Sequence, residues 1–324
     1  MSVKTAEGKP EKKSFLKTRK GKRAVFAMTV LLPFAVWMMV YMLIPIVSVV
    51  YYSFTDARMG YDSQTFVGLY QFKKIFTNPV AMTSIKNSMK SALIIVPVSL
   101  VLSMLTALGL DRLSDRWSRV YTFAIFLPNI ISLTAACLVW QWIFHSNYGV
   151  LNAFLNLFGI ESQQFLKSPD QALASLCAIH IWSCYGYYSV ILLAAIRGID
   201  KSLYEAASLD GAGYWMQFFE VTLPMLKNTL LFVGIMLTTS AFMFFTPVQL
   251  LTNGTPGTST YVMLFYIYQQ GIQQGNIGYS SAMSLILMMI ILFFSLIQWV
   301  GSAERQPKPK KNKNKKEMKG AQTA

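Results

Sequence analysis

Six long apolar runs, at residues 24–50, 90–110, 120–144, 171–196, 228–250 and 279–301, constrain this chain more than any other feature. Each approaches the roughly 20 residues that an α-helix needs to cross the hydrocarbon of a bilayer. Strands of an outer-membrane barrel would alternate apolar and polar residues in segments about half as long, and these runs do not alternate. The fold class is therefore all-α and polytopic, with six transmembrane helices. Only 13% of the residues are charged, about half the share usual in a soluble domain. The first run follows a long basic stretch and exceeds a signal-peptide core, so it reads as a retained span.

A formal net charge of +15 would suit a nucleic-acid binder until it is placed along the chain. Residues 1–23 carry nine Lys or Arg against two Glu, and residues 302–324 carry eight against two. The 278 residues between them hold twelve basic and ten acidic side chains. The chain thus divides into a basic tail (1–23), a transmembrane domain (24–301) and a second basic tail (302–324). With both tails and the loops 111–119 and 197–227 on one side, that side holds 23 basic residues. The other holds six: Arg58, Lys73, Lys74, Lys86, Lys90 and Lys167. Basic segments stay cytoplasmic, so both termini are expected there. The run 308–319 reads as a topology anchor and lipid-headgroup contact, and no nucleic-acid partner is expected.

Cys137, Cys177 and Cys184 fall inside expected spans, where thiols pack as small apolar groups. They offer neither a disulfide framework nor a metal site. Pro33, Pro45, Pro97, Pro128 and Pro247 lie in or near spans and mark candidate kinks. Ser99 and Ser103 in the second run, and Thr238, Thr239 and Ser240 in the fifth, are small enough to let helices approach closely. Two loops on the side away from the tails carry local signals. Gly149–Asn152 forms a turn leading into a short amphipathic stretch, and Asn253–Gly257 is a turn-rich cluster.

The loop 197–227 is the most patterned segment outside the runs. Ser202-Leu203-Tyr204-Glu205 reads as a capping box that starts a short helix, and Gly211 is placed to stop it. A second helical stretch with Tyr214, Trp215, Phe218 and Phe219 follows, and Pro224 suits the first turn of the fifth span. A short helix faced with alanine is well shaped for a groove in a partner protein.

Glu205-Ala206-Ala207, then Gly211, then Val221-Thr222-Leu223-Pro224 resembles the EAA signature loop of permease subunits of ATP-binding-cassette (ABC) importers, with Val in place of Ile. The likeness extends over about residues 66–300. It is similar to the carbohydrate branch, the maltose and glycerol-3-phosphate type, at Phe126-Leu127-Pro128, Val139-Trp140, Gly149–Asn152, Leu250-Leu251-Thr252 and Gly278–Ala282. Thr255 and Asn276 depart from that branch, which usually has glycine and aspartate there. The resemblance implies a type I ABC importer permease fold and a loop that acts as a coupling helix in a cleft of a separate ATPase. It assigns Glu205, Ala206, Ala207, Asp210 and Gly211 to that contact, with Leu223 and Pro224 shaping the return to the membrane. It also implies a multi-pass protein of the bacterial cytoplasmic membrane. The implied partners are a second permease forming a heterodimer, an ABC ATPase dimer holding ATP-Mg, an extracytoplasmic solute-binding protein and a sugar.

Polar and aromatic groups inside spans are candidates for the substrate path. They are His180, Trp182, Tyr185 and Tyr187 in the fourth run, and Phe242, Phe244, Phe245, Thr246 and Gln249 in the fifth. Rings that stack on the C–H face of a sugar, beside groups that bond its hydroxyls, suit such a cargo. His180, Cys184 and Tyr187 recur at helical spacing and share a face. The chain has no G-x-x-x-x-G-K-[ST] phosphate loop, so it is expected to be no enzyme, with no catalytic residue, metal or cofactor of its own. The alternative is a channel or a secondary transporter driven by an ion gradient. Apart from cysteines and tyrosines, His180 is the one ionisable side chain well inside a run, which argues against that alternative.

Overall fold

The computed structural model describes residues 19–61 and 64–303. Apart from an isolated bridge between Thr55 and Phe66, the described residues form helices and turns. Residues 1–18 and 304–324, which hold most of the two basic tails, lie outside them. Helix α1 (Arg19–Met38) passes through a π-helical turn, Met39–Leu43, into α2 (Ile44–Tyr52). Pro45 accounts for that turn, because its ring crowds the carbonyl one turn back and it donates no hydrogen bond; the wider π turn absorbs both. A short helix α3 (Tyr70–Thr77) follows.

The second span, α4 (Pro79–Asp111), begins at Pro79 rather than at residue 90, so Lys86 and Lys90 are helical. Asn78 sets the start: its side-chain oxygen accepts from the amides of Val80 and Ala81 at 2.9 and 3.2 Å, with Pro79 in the first helical position.

The apolar run 120–144 is not one straight helix. Helices α5 (Asp115–Ile130) and α6 (Leu133–Ile143) meet at 96°. Pro128 lies in the last turn of α5 and Ile131 is extended, so the chain turns there while remaining apolar. The fifth run divides as well. Helices α9 (Lys201–Leu209), α10 (Tyr214–Gln217) and α11 (Leu223–Met225) precede α12 (Lys227–Phe242), and the Tyr214–Met225 segment is bent by 71° from α12 at Leu226. Pro224 thus belongs to α11 rather than to the first turn of the span. Helix α12 ends at Phe242 instead of continuing to residue 250, and Pro247 precedes a π turn, Val248–Thr252. Helix α7 (Val150–Leu157) is the short stretch expected after Gly149. The loop after residue 251 contains its own helix, α13 (Met263–Tyr268). Among the described residues, Met28–Tyr52, α4, α8 (Ala172–Arg197) and Ile277–Gly301 of α14 (Ile277–Ala303) are long and apolar enough to cross a membrane, four spans that become six if each bent pair is one crossing.

Helix α8 is the hub, packed against α4, α5 and α12. Its neighbours approach closely because the facing side chains are small. Ser103 donates to the Tyr185 carbonyl at 2.9 Å, and Ser99 Oγ lies 3.8 Å from Cys184 Sγ. A Cβ at Gly186 would collide with the Ile125 carbonyl of α5. Two apolar clusters stack along the bundle. One gathers Ile95, Leu176, Phe244 and Met283, and the other, toward the α9 end, gathers Ala107, Leu192, Leu226 and Leu237. Large apolar side chains such as Leu31, Leu105 and Phe293 remain exposed on the outer surface, as suits a bundle whose surroundings are apolar.

Candidate functional site

Helix α9 starts at Asp200, not at Ser202. Asp200 is extended (φ −63°, ψ 125°), and its carboxylate accepts from the Ser202 amide at 2.9 Å. That bond holds the Asp200 carboxyl below its ordinary range. The expected capping box is therefore absent, with Ser202 inside the first turn and Glu205 exposed without a hydrogen bond. The helix ends as anticipated. Gly211 takes φ +82°, its amide donates to the Ser208 carbonyl at 3.0 Å, and the Ala212 amide donates to the Ala207 carbonyl at 2.9 Å. This pair of bonds is a Schellman cap, which needs a left-handed residue at that position.

One face of α9 is tied to the protein and the other is free. Tyr204 and Ser208 form the tied face. The Tyr204 hydroxyl lies 2.9 Å from Thr222 Oγ1, and Gln217 donates to the Ser208 hydroxyl at 2.9 Å and to the Ala212 carbonyl at 3.0 Å. Arg112, in the α4–α5 loop, sits 3.8 Å over the Tyr214 ring. Arg197, at the end of α8, donates to the Ser118 hydroxyl at 2.7 Å. The free face presents Ser202, Glu205, Ala206 and Leu209, and Leu209 is 90% exposed. Asp210 and Gly211 are exposed beside it, and Ala207 is half-buried. Leu223 is half-buried and Pro224 exposed where the chain turns toward α12. The structure thus brings all seven signature residues to one end of the bundle. Asp200, Tyr204 and Gln217 fix the helix and carry no signature in the sequence.

The nine path candidates do not form one lining. His180 is buried, its Nε2 lies 3.0 Å from Ser240 Oγ, and its ring meets Phe244 edge-on at 5.3 Å. Cys184 on the same face meets Ser99 of α4, and Tyr187 meets Phe126 of α5 at 6.5 Å. Trp182 packs edge-on against Trp140 of α6 at 5.5 Å. Phe242 and Phe244 are buried core residues, with Phe242 against Phe294. Phe245 packs on Tyr268 at 5.2 Å, and Tyr185, Thr246 and Gln249 are half-buried. His180 and Phe244 are therefore together, while the others face different neighbours.

A family model described as binding-protein-dependent transport system inner membrane component matches residues 99–302, a stretch that contains α8, α9, α12 and all but the last residue of α14. The chain belongs to that family. It is a permease subunit of the ABC importers, and the ion-gradient alternative falls with that assignment. The sulfoquinovosyl glycerol transport system permease protein SmoG of Agrobacterium fabrum is 32% identical over 82% of this chain and 86% of its own length. The arabinooligosaccharides transport system permease protein AraP of Halalkalibacterium halodurans is 30% identical over 91% of this chain and 96% of its own. A chain of a bacterial alginate ABC transporter, solved with its pentasaccharide-bound periplasmic protein, superposes with a TM-score of 0.76 at 22% identity, covering 87% of this chain and 96% of that one. That likeness confirms the type I permease fold.

Proposed function

We propose that this permease carries a carbohydrate, an oligosaccharide or a polyol derivative, into the cytoplasm, and that α9 is the helix through which a separate ATPase drives it. The observation that carries the coupling role is the two-faced character of α9. A helix of nine residues is too short to persist in water by itself. Here it is capped at both ends and bonded to α10 and the following π turn, yet it leaves Glu205, Ala206 and an almost fully exposed Leu209 outward. An apolar side chain and a free carboxylate on a rigid scaffold suit a partner's groove. Glu205, Ala206, Ala207, Asp210 and Gly211 would make that contact, and Leu223 and Pro224 would carry its movement to α12.

The sugar cargo is supported by the relatives, whose names give sulfoquinovosyl glycerol and arabinooligosaccharides as what they transport. Within this chain, the half-buried Trp182, Tyr185, Tyr187, Phe245, Thr246 and Gln249 fit a path better than the buried Phe242 and Phe244, which serve the core. His180 would act through its bond to Ser240. The complex would contain a second, different permease, an ATPase dimer holding ATP-Mg and an extracytoplasmic solute-binding protein. It would sit in a bacterial cytoplasmic membrane with both termini inside. The test is Glu205→Ala in the reconstituted complex. Solute-stimulated ATP hydrolysis is expected to fall roughly tenfold or more, the scale for losing a docked charge. Unchanged coupling would reject the role.

A further inference from the structure

Helices α5 and α8 touch at one height and part at another. They meet at Gly186, where a Cβ would collide with the Ile125 carbonyl. Toward the α9 end they separate around a cavity of about 380 Å³. Ser118, Thr122 and Phe126 line it from α5 at spacings of four residues, and Val190, Leu193 and Arg197 line it from α8 at spacings of three and four, so each set is one face of its helix. From Ser118 to Phe126 that face runs about 12 Å. Arg119 and Phe123 complete the α5 wall. Because α5 begins and α8 ends on this side of the bundle, the two arginines and Ser118 stand at the mouth of the groove, and Phe123, Phe126 and Val190 lie deeper.

The mouth carries more positive charge than its neighbours neutralise. Arg197 donates to the buried Ser118 hydroxyl at 2.7 Å, which fixes its guanidinium across the gap between the helices. Its contact with Asp111 is a single one of 3.4 Å, with both side chains about two-fifths exposed. Arg119 is exposed and donates to the Asp115 carbonyl one turn back in its own helix at 3.1 Å. It forms no ion pair among the described residues. Asp111 and Asp115 are the acidic groups of this corner, against Arg112, Arg116, Arg119 and Arg197. Deeper in, the walls turn apolar. Phe123 is 65% exposed, so the groove is open along its side to whatever surrounds the bundle, and Phe126 closes its far end against Tyr187, with ring centroids 6.5 Å apart.

We propose that the α5–α8 groove is a binding site for an anionic phospholipid, with the phosphate held by Arg119 and Arg197 and one acyl chain laid along Phe123, Phe126, Val190 and Leu193. A free phosphate would meet the arginines and leave the apolar walls bare. A neutral hydrocarbon would fill the walls and leave Arg119 without a counter-charge. An anionic phospholipid meets both requirements in the order in which the groove presents them, charge at the membrane surface and hydrocarbon below it. Guanidinium groups suit the phosphate because their planar set of N–H donors engages two of its oxygens at once. The Thr122 hydroxyl, one turn inside Ser118, is placed for the ester oxygens at the junction of headgroup and chain. The site lies outside the α9 face and the transport path, so it stands whether or not α9 docks an ATPase and whatever the cargo is.

The test uses the full-length permease in its purified complex, with retention of phosphatidylglycerol against phosphatidylcholine read by native mass spectrometry. Wild type is expected to retain phosphatidylglycerol preferentially, and a large molar excess of inorganic phosphate should not displace it. Arg119→Gln, which removes an exposed side chain bonded within its own helix, is expected to weaken retention about tenfold or more, the scale for losing a hydrogen-bonded charge. Arg116→Gln removes the same charge from the same helix but from outside the groove, and should change retention less than about twofold. A photo-reactive side chain in place of Phe123 should label lipid. The proposal is overturned if wild type shows no preference for phosphatidylglycerol, if inorganic phosphate displaces the lipid, if Arg116→Gln weakens retention as much as Arg119→Gln, or if the probe at position 123 labels the second permease instead of lipid.

Discussion

The hydroxyl of Tyr204 lies 2.9 Å from Thr222 Oγ1, joining the exposed helix α9 to the π turn that feeds α11 and then α12. In the proposed coupling role, a displacement of α9 would reach the start of a transmembrane helix through this bond without passing through the intervening loop. Tyr204→Phe keeps the ring and removes the link, at a cost of about 1 kcal/mol. Amide hydrogen exchange in α9 should quicken about fivefold, with the amides of α8 unchanged. Equal exchange in the two proteins would show that the bond does not restrain the helix.

Gly211 is conformationally required but sterically free, with φ +82° and no heavy atom within 4 Å of a Cβ placed there. Gly211→Ala should therefore destabilise the C-terminal cap of α9 by about 1 kcal/mol from backbone strain alone. Gly211→Asn should cost less, because asparagine tolerates the left-handed region. Hydrogen exchange at Gly211 and Ala212, whose amides close the cap, measures the ordering of the three proteins.

Gly186 tests the opposite situation. Its backbone is ordinary, yet a Cβ would run into the Ile125 carbonyl, so Gly186→Ala must push α5 away from α8. Overpacking of this kind costs about 1–3 kcal/mol or more. Thermal unfolding of the purified protein should show a clear loss, while Gly109→Ala, with open space around its Cβ, should show none.

Asp200 makes the start of α9 pH-dependent. The Ser202 amide lowers its carboxyl below the ordinary value of 3.8. For a depressed carboxyl the stabilisation is complete above the unfolded-state value and is lost as pH falls through the folded one. Protection of the α9 amides should be level from pH 7 to pH 5 and should decline below about pH 4. Asp200→Asn, which caps without titrating, should remove that decline. A decline of equal size in Asp200→Asn would place its origin elsewhere.

The all-helical, multi-pass class, the neutrality of the body and the spacing of the α9 signature were legible in the sequence because each depends on composition or on local order. The breaks were not. Residues 120–144 carry no charge, and hydropathy carries no information about direction, so the 96° turn between α5 and α6 follows from Pro128 and the extended Ile131. The helix start at Asp200 was also hidden. Asp200 and Ser202 are both good caps, and the choice is made by tertiary packing, since buried Ile199 anchors the chain in the core and delivers Asp200 in an extended conformation. Lys227 read as one more basic residue in a loop. Its ammonium is buried, and α14 lays Gln298 across Gly234, a contact between residues 64 apart in sequence. The path candidates scattered for the same reason: a shared face on α8 meets α12, α4 and α5 at successive heights.

In the proposed complex the free face of α9 sits against the ATPase. Cross-linking tests it directly, with Ala206→Cys in a background where Cys137, Cys177 and Cys184 are replaced, using the complex as it co-purifies. A short bismaleimide should join this permease to a single-cysteine ATPase subunit, and nucleotide should alter the yield. Free reaction of that cysteine with a soluble maleimide in the assembled complex, with no cross-linked product from any ATPase cysteine position, would show that this face does not meet the ATPase.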